Sequence, residues 1–212
     1  VDQVKRCRRV REVIVATDDQ RVMTALKPFG TTCRMTAVGH QSGTDRIAEV
    51  AAELEDDIVV NVQGDEPEIE PQVVDALIAL LEDGDDEMGT VVVPFPSTAE
   101  LGNPNLVKAV VAGDDRAIYF SRAAVPFFRD GLPTGQITHW LHRGIYAYRR
   151  PFLLEFASWK PTPLEQAEKL EQLRVLEHGR TIRVIRSERS TPGIDTAEQY
   201  AGFVERFLRK KG

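Results

Sequence analysis

Two acidic residues that follow short apolar runs are the ones in this sequence best suited to chemistry. The first is Asp65, in Asn61-Val62-Gln63-Gly64-Asp65-Glu66-Pro67, which follows Asp57-Ile58-Val59-Val60 without a polar break. The β-branched run from Ile58 to Val62 predicts a central parallel strand covered on both faces, and Pro67 stops its pairing. Asp65 then stands at the carboxyl end of a strand, the edge at which open α/β sheets bind ligands. A carboxylate there can hold Mg²⁺ against substrate phosphates through hard oxygen ligands. Gly64 permits a close backbone approach, and Gln63 offers both an amide donor and an acceptor. The plainer alternative is that Gly-Asp-Glu-Pro is only a strand exit. The second acid is Asp195, in Pro192-Gly193-Ile194-Asp195-Thr196, after a strand expected over Ile182-Arg183-Val184-Ile185. It reads either as the N-cap of the last helix or as a second metal ligand.

The elements that must position these groups alternate. Glu12 to Thr17 predicts a strand, and Thr17 or Asp18 caps a helix from Gln20 to Leu26 that ends near Pro28-Phe29-Gly30. Thr32 to Met35 is a short strand. Gly43 to Leu54 has helical spacing through Ile47, Val50, Ala51 and Leu54. Pro71 opens another helix with Val74, Leu77, Ile78 and Leu81 on one face. Strands are expected at Thr90–Val93, Leu106–Val111, Ile118–Phe120 and Gly144–Tyr148, with closing helices at Leu164–Leu176 and Ala197–Leu208. Val1 to Arg9 reads as the middle of an amphipathic helix. The pattern is that of a layered α/β domain with a mixed, mostly parallel sheet and a partly antiparallel extension.

Composition narrows the function. With 212 residues, 42% hydrophobic and 28% charged, the chain can bury one full core. A net charge of −6 argues against a general nucleic-acid binder, because phosphate-dominated affinity needs a basic surface. Cys7 and Cys33 form neither a disulfide framework nor a metal-ligand spacing. No apolar run reaches the roughly 18 to 20 residues of a membrane span, and Val1-Asp2-Gln3-Val4-Lys5-Arg6 is not a signal peptide, so a cytoplasmic protein without membrane insertion is expected. The chain has no Gly-Lys-Ser/Thr loop of a P-loop NTPase and no Gly-x-Gly-x-x-Gly after a strand.

Three further segments carry polar groups. His40-Gln41-Ser42-Gly43-Thr44-Asp45-Arg46 runs into a helix, where N–H groups can meet an anion or a base; Ser42 or Thr44 can also be a plain N-cap. His142 and Tyr146 are separated by an even number along a strand and so share a face, either lining a polar pocket or satisfied by nearby backbone. Glu168, Glu171, Gln172 and Arg174 fall within two turns of one expected helix, as a convergent cluster or a solvated face.

In chain order, Val15-Ala16-Thr17-Asp18, His40 to Arg46, Asn61 to Pro67, Tyr119-Phe120-Ser121-Arg122, His142-Arg143-Gly144-Ile145-Tyr146, Leu170-Glu171-Gln172-Leu173-Arg174 and Gly193-Ile194-Asp195-Thr196 resemble one family closely. It is the CMP-Kdo synthetases, the 3-deoxy-manno-octulosonate (Kdo) cytidylyltransferases. The resemblance implies a nucleotide-diphospho-sugar transferase-like α/β fold and a homodimer. It also implies a reaction in which the anomeric hydroxyl of Kdo attacks the α-phosphate of CTP, giving CMP-Kdo and pyrophosphate for lipopolysaccharide synthesis. By the same resemblance, Asp65 and Asp195 would be catalytic and hold Mg²⁺. Ser42, Gly43, Thr44, Arg46 and Gln63 would lie at the nucleotide, and Gln63, Arg122, His142, Tyr146, Glu171 and Gln172 at the sugar acid.

The sequence departs from the family at its start. Family members open on a strand and a glycine-, arginine- and lysine-bearing loop that grips the triphosphate, and nothing in Val1 to Arg11 matches it. Lys5, Arg6, Arg8, Arg9 and Arg11 read instead as a solvated helix face. The expectation is one cytidylyltransferase domain over residues 1–212 that lacks this strand and loop. Two alternatives stay open: a cytidylyltransferase for another 3-deoxy sugar acid, such as 8-amino-Kdo or a sialic acid-like acid, and a catalytically silent binding subunit.

Overall fold

In a computed structural model, residues 1–40, 42–132, 139–188, 193–194 and 196–209 are described. A parallel pair, β1 (Ile14–Thr17) and β2 (Thr32–Met35), stands beside a six-stranded mixed sheet of β3 (Ile58–Asn61), β4 (Met88–Pro94), β5 (Lys108–Val111), β6 (Ala117–Ser121), β7 (Trp140–Arg149) and β8 (Arg183–Arg186). The order is β6-β5-β7-β4-β8, with β3 also paired to β7. β3, β4, β5 and β8 run one way and β6 and β7 the other. β7 lies between the co-directional strands, so most ladders are antiparallel although most strands point the same way.

The helices are α1 (Gln20–Leu26), α2 (Gly43–Ala51), α3 (Pro71–Glu82), α4 (Arg150–Ser158), α5 (Pro163–Glu168), α6 (Gln172–Glu177) and α7 (Ala197–Arg209). Pro71 at the start of α3 has no N–H to leave unbonded, and Val74, Leu77, Ile78 and Leu81 are buried at the expected spacing. α3 lies close on β4: a Cβ added at Gly89 would come within 3.0 Å of Leu80 Cδ2 and 3.3 Å of Leu77 Cδ2. The period of two along strands divides the core. Val91 and Ala147 pack with α3, whereas Val92 and Tyr148 pack with Ala48 of α2, Phe152 of α4 and Leu173 of α6. The sheet is therefore covered on both faces.

Four expectations differ from what is observed. The amino-terminal segment is a single 3₁₀ turn at Val4–Arg6 rather than a helix, because the backbone N–H groups of Arg8 and Arg9 are taken by the Asp75 carboxylate at 2.9 to 3.1 Å. The expected basic face is also engaged, with Arg9 on Glu82 and Arg11 on Asp56 at 2.6 Å. The helix expected over Leu164–Leu176 is two helices, broken where Lys169 adopts the left-handed region at φ 53°. α4 has no counterpart in the sequence reading.

The fourth difference concerns β3. It pairs with β7 alone, antiparallel, and β1 with β2 alone, among the described residues. Both strands line one groove of about 1390 Å³, together with Ile47 and Val50 of α2, Ile78 of α3 and Phe203 of α7. β3 is thus not flanked on both sides as a central strand would be.

Candidate active site

Ser42 opens α2 as its N-cap, the hydroxyl accepting from Asp45 N–H at 3.1 Å. The next turn faces inward. Thr44 is buried, and its hydroxyl donates to Glu171 Oε2 at 2.7 Å. Burial raises the Glu171 carboxyl, and the Thr44 and Ser42 hydroxyls oppose that rise. Arg174 is 3.5 Å from Glu171 Oε1 but spends its best bonds on Glu165, at 2.8 and 2.5 Å. Glu171 Oε1 and Gln172 Nε2 are buried and lack hydrogen bonds among the described residues. Buried polar atoms without partners are rare, and a ligand with many hydroxyls would satisfy them.

β7 supplies the adjoining wall. His142 and Tyr146 do share a face, with ring centres 5.4 Å apart, and Tyr148 continues the row at 6.0 Å from Tyr146. Thr90 Oγ1 lies 2.9 Å from the Ile145 carbonyl and 3.0 Å from His142 Nε2. A hydroxyl has one hydrogen; if Ile145 takes it, Nε2 carries the imidazole proton and Nδ1 is left as an acceptor. Burial, helped by the Arg143 charge, pushes His142 down to about 3, so the ring is neutral at ordinary pH. Burial, with Tyr148 and Glu171 nearby, raises the Tyr146 phenol well above its ordinary value and keeps it a donor. Burial, with Glu171 nearby, also raises the Tyr148 phenol well above its ordinary value, and the Thr44 hydroxyl opposes that rise.

The β3 exit closes the third side. Asn61 pairs with Tyr146, and Asn61 Oδ1 accepts from Gln63 Nε2 at 2.7 Å. Gly43 faces that same amide: a Cβ there would lie 3.6 Å from Gln63 Nε2. Ser42, Gly43, Thr44, Gln63, His142, Tyr146, Glu171 and Gln172 are thereby brought into one region. Arg46, one turn further along α2, donates to Thr36 Oγ1 at 2.5 Å and to Asp18 Oδ2 at 2.8 Å, at the ends of β2 and β1.

Arg122 follows β6. Its Nε, Nη1 and Nη2 donate to the carbonyls of Glu168, Pro104 and Lys169 at 2.6, 2.8 and 3.2 Å. Glu168 also binds Arg122 N–H at 2.9 Å and the Ser121 hydroxyl at 2.6 Å. The break at Lys169 lets Glu168 face Arg122 while Glu171 faces Thr44, so these residues form neither one convergent cluster nor a solvated face but two separate sites of attachment.

Asp65 is exposed in the turn after β3, and its carbonyl accepts from Ile194 N–H at 2.8 Å. A Cβ at Gly193 would lie 3.6 Å from that carbonyl oxygen. Asp195 lies outside the described residues. No group of three His, Cys, Asp or Glu side chains suited to a metal occurs among the described residues. Sequence reasoning missed Asn61, Tyr148, Asp18 as a partner of Arg46, and Ser121 and Arg122 as the partners of Glu168. Asp18 and Asn61 were within quoted motifs, but only the fold shows what they hold.

A family profile described as cytidylyltransferase matches residues 1–182. The 3-deoxy-manno-octulosonate cytidylyltransferase of Geobacter metallireducens is 48% identical over 94% of this chain and 82% of its own length. That of Rhodopirellula baltica is 50% identical over 92% of this chain and 81% of its own length. The chain belongs to the 3-deoxy-manno-octulosonate cytidylyltransferase family. A solved structure of CMP:2-keto-3-deoxy-manno-octonic acid synthetase complexed with CTP superposes on this cytidylyltransferase chain with TM-score 0.90 and 37% identity, covering all of this chain and 86% of the other. The 4-diphosphocytidyl-2C-methyl-D-erythritol synthase of Anaerococcus prevotii shares the fold at TM-score 0.61 and 15% identity, over 98% of this chain and 86% of its own. Both likenesses bear out the nucleotidyltransferase-like α/β fold.

Proposed function

We propose that this chain transfers CMP from CTP to the anomeric hydroxyl of 3-deoxy-manno-octulosonate, releasing pyrophosphate, for lipopolysaccharide biosynthesis. The observation that carries this reading is the Thr44–Glu171 bond, which ties the turn expected at the nucleotide to the segment expected at the sugar acid. The hydroxyl oxygen forms a bond to the α-phosphorus as the bond to the pyrophosphate oxygen breaks, and its proton leaves. Such a displacement needs in-line placement and charge neutralisation rather than a side-chain nucleophile.

The residues fit a polyhydroxylated acid. Tyr146 and Gln172 Nε2 are donors, Glu171 and His142 Nδ1 acceptors, and Gln63 supplies either. Arg122 has three of its five N–H groups bonded to carbonyls, leaving two for the sugar carboxylate. Ser42, Gly43, Thr44 and Arg46 serve the nucleotide. Asp65 is a hard oxygen donor whose carboxylate meets no cation among the described residues, which suits a site holding Mg²⁺ with few protein ligands. Asp65, with Asp195 by resemblance, would hold that ion, and its chemistry when bound is to neutralise phosphate charge. The two strand edges that are unpaired among the described residues, on the groove between β1 and β3, support a further strand there, followed by the triphosphate-gripping loop of the family. A homodimer is checked by sedimentation velocity.

The test is pyrophosphate release from CTP with Mg²⁺ and Kdo, 8-amino-Kdo or a sialic acid. It is run on this 212-residue chain and on one with a relative's amino-terminal segment joined ahead of Val1. Release with Kdo is expected. Release only with another acid reassigns the acceptor, and release from neither protein with any acid leaves a binding subunit.

A further inference from the structure

Lys108, the first residue of β5, has no exposed surface. Its ammonium group has three donors and, among the described residues, no carboxylate within hydrogen-bond reach; it donates to the carbonyls of Asn103 at 2.9 Å, Leu106 at 2.8 Å and Arg122 at 2.7 Å. The Phe95 ring lies 5.8 Å away on another side. A buried charge held only by neutral carbonyls is an expensive arrangement, and a well-packed apolar side chain in its place is often no less stable. A plain loop staple therefore explains the residue poorly.

The three carbonyls converge on one neighbour. Arg122 contributes one of them directly. The other two, on Asn103 and Leu106, bracket Pro104, whose carbonyl accepts from Arg122 Nη1 at 2.8 Å. Lys108 is also the register partner of Ser121, the residue before Arg122. It thus fixes the arginine's backbone and one acceptor of its guanidinium at the same time. Burial holds the Lys108 ammonium below its ordinary pKa, with the Glu168 charge opposing that shift.

We propose that Lys108 is a positioning residue for sugar-acid recognition, setting the orientation of the Arg122 guanidinium without touching substrate. This rests on the placement of Arg122 at the sugar acid in the proposed function. An apolar side chain at Lys108 leaves three carbonyls unbonded, releases the Asn103–Leu106 turn and frees the arginine fork, whose value in carboxylate binding depends on fixed geometry.

The test uses direct binding of Kdo and of CTP to the full chain by calorimetry, so that turnover is not needed. Lys108→Met, Arg122→Ala and the double variant are compared with the unsubstituted chain. Lys108→Met is expected to weaken Kdo binding about tenfold or more while CTP binding stays within about twofold, and the double variant is expected to bind Kdo no more weakly than Arg122→Ala. Equal loss for both ligands, unchanged Kdo binding in folded Lys108→Met, or additive losses in the double variant overturn the inference. Unchanged Kdo binding in Arg122→Ala, or none by the unsubstituted chain, instead overturns the sugar-site reading and the inference with it. If Lys108→Met does not fold, Lys108→Gln is read by the same criteria. The ¹⁵Nε resonance of Arg122 is then the second measurement: it shifts and broadens if the fork is freed, and an unmoved signal overturns the role.

Discussion

Thr44 on α2 and Glu171 at the start of α6, 127 residues apart in the chain, are joined by a 2.7 Å hydrogen bond. Thr44 is buried, so removing its hydroxyl takes away a hydrogen bond to Glu171 Oε2 that water cannot readily replace. Thr44→Val, close in shape, is expected to lower unfolding free energy by about 1–3 kcal/mol, and Thr44→Ser by much less. Urea unfolding of both variants checks this, and a Thr44→Val loss no greater than that of Thr44→Ser would remove the hydroxyl from the account.

His142 makes the protein acid-sensitive in a defined window. Its native value is about 3 against an ordinary 6.5, so between those values the unfolded chain binds a proton that the native state refuses. The native stability linked to neutral His142 is complete above about pH 6.5 and is lost as pH falls toward 3. His142→Gln is expected to be less stable at pH 7 because it loses packing against Phe120, whose ring is 4.8 Å away. Its disadvantage should shrink on acidification. Urea midpoints from pH 7 to pH 4 give the comparison, and a gap that stays constant contradicts the buried neutral imidazole.

Local pattern carried part of this fold. The span of α1 and the buried face of α3 are legible because period and proline positions are written within a dozen residues, but α1 is capped by Asp19, whose carboxylate accepts from Arg21 N–H at 2.7 Å, rather than by the expected Thr17 or Asp18. β7 was legible only from Gly144 to Tyr148, whereas it runs from Trp140 to Arg149, since its ends are defined by β5 and β3 rather than by its own sequence. α4 does carry a local signal, Pro151 in the first turn followed by apolar Phe152, Leu153 and Phe156. The amino-terminal segment is not a helix because Asp75, far along the chain, takes the N–H groups of Arg8 and Arg9, which local pattern does not show. In the site, motif membership pointed to Thr44, Tyr146 and Glu171, but Lys108 and Glu168 act through backbone carbonyls and hydroxyls that no residue pattern reveals.

The break between α5 and α6 rests on a strained residue. Lys169 has φ 53° and ψ 47°, a region that a side chain disfavours by about 1–2 kcal/mol and glycine enters freely. Lys169→Gly is expected to raise stability by up to about 1 kcal/mol, the unfolded chain's added freedom offsetting part of the relief. Lys169→Val should be destabilising. If the glycine variant is instead less stable by denaturant unfolding, the Lys169 side chain contributes more than its backbone costs.

Asp65 and Arg46 should separate metal use from nucleotide grip. Asp65→Asn keeps the size and backbone of the turn that receives Ile194 N–H but removes a negative ligand, so Mg²⁺-dependent pyrophosphate release is expected to fall about 100-fold or more. CTP should still bind. Arg46 is held by Asp18 and Thr36; Arg46→Ala is expected to weaken CTP binding by about 1.5–3 kcal/mol and to leave Kdo binding nearly unchanged. Calorimetry with each ligand and a Mg²⁺ titration of turnover distinguish the two variants. An Asp65→Asn protein with ordinary turnover would remove it from the metal site, and an Arg46→Ala protein that loses Kdo rather than CTP would place Arg46 on the sugar side.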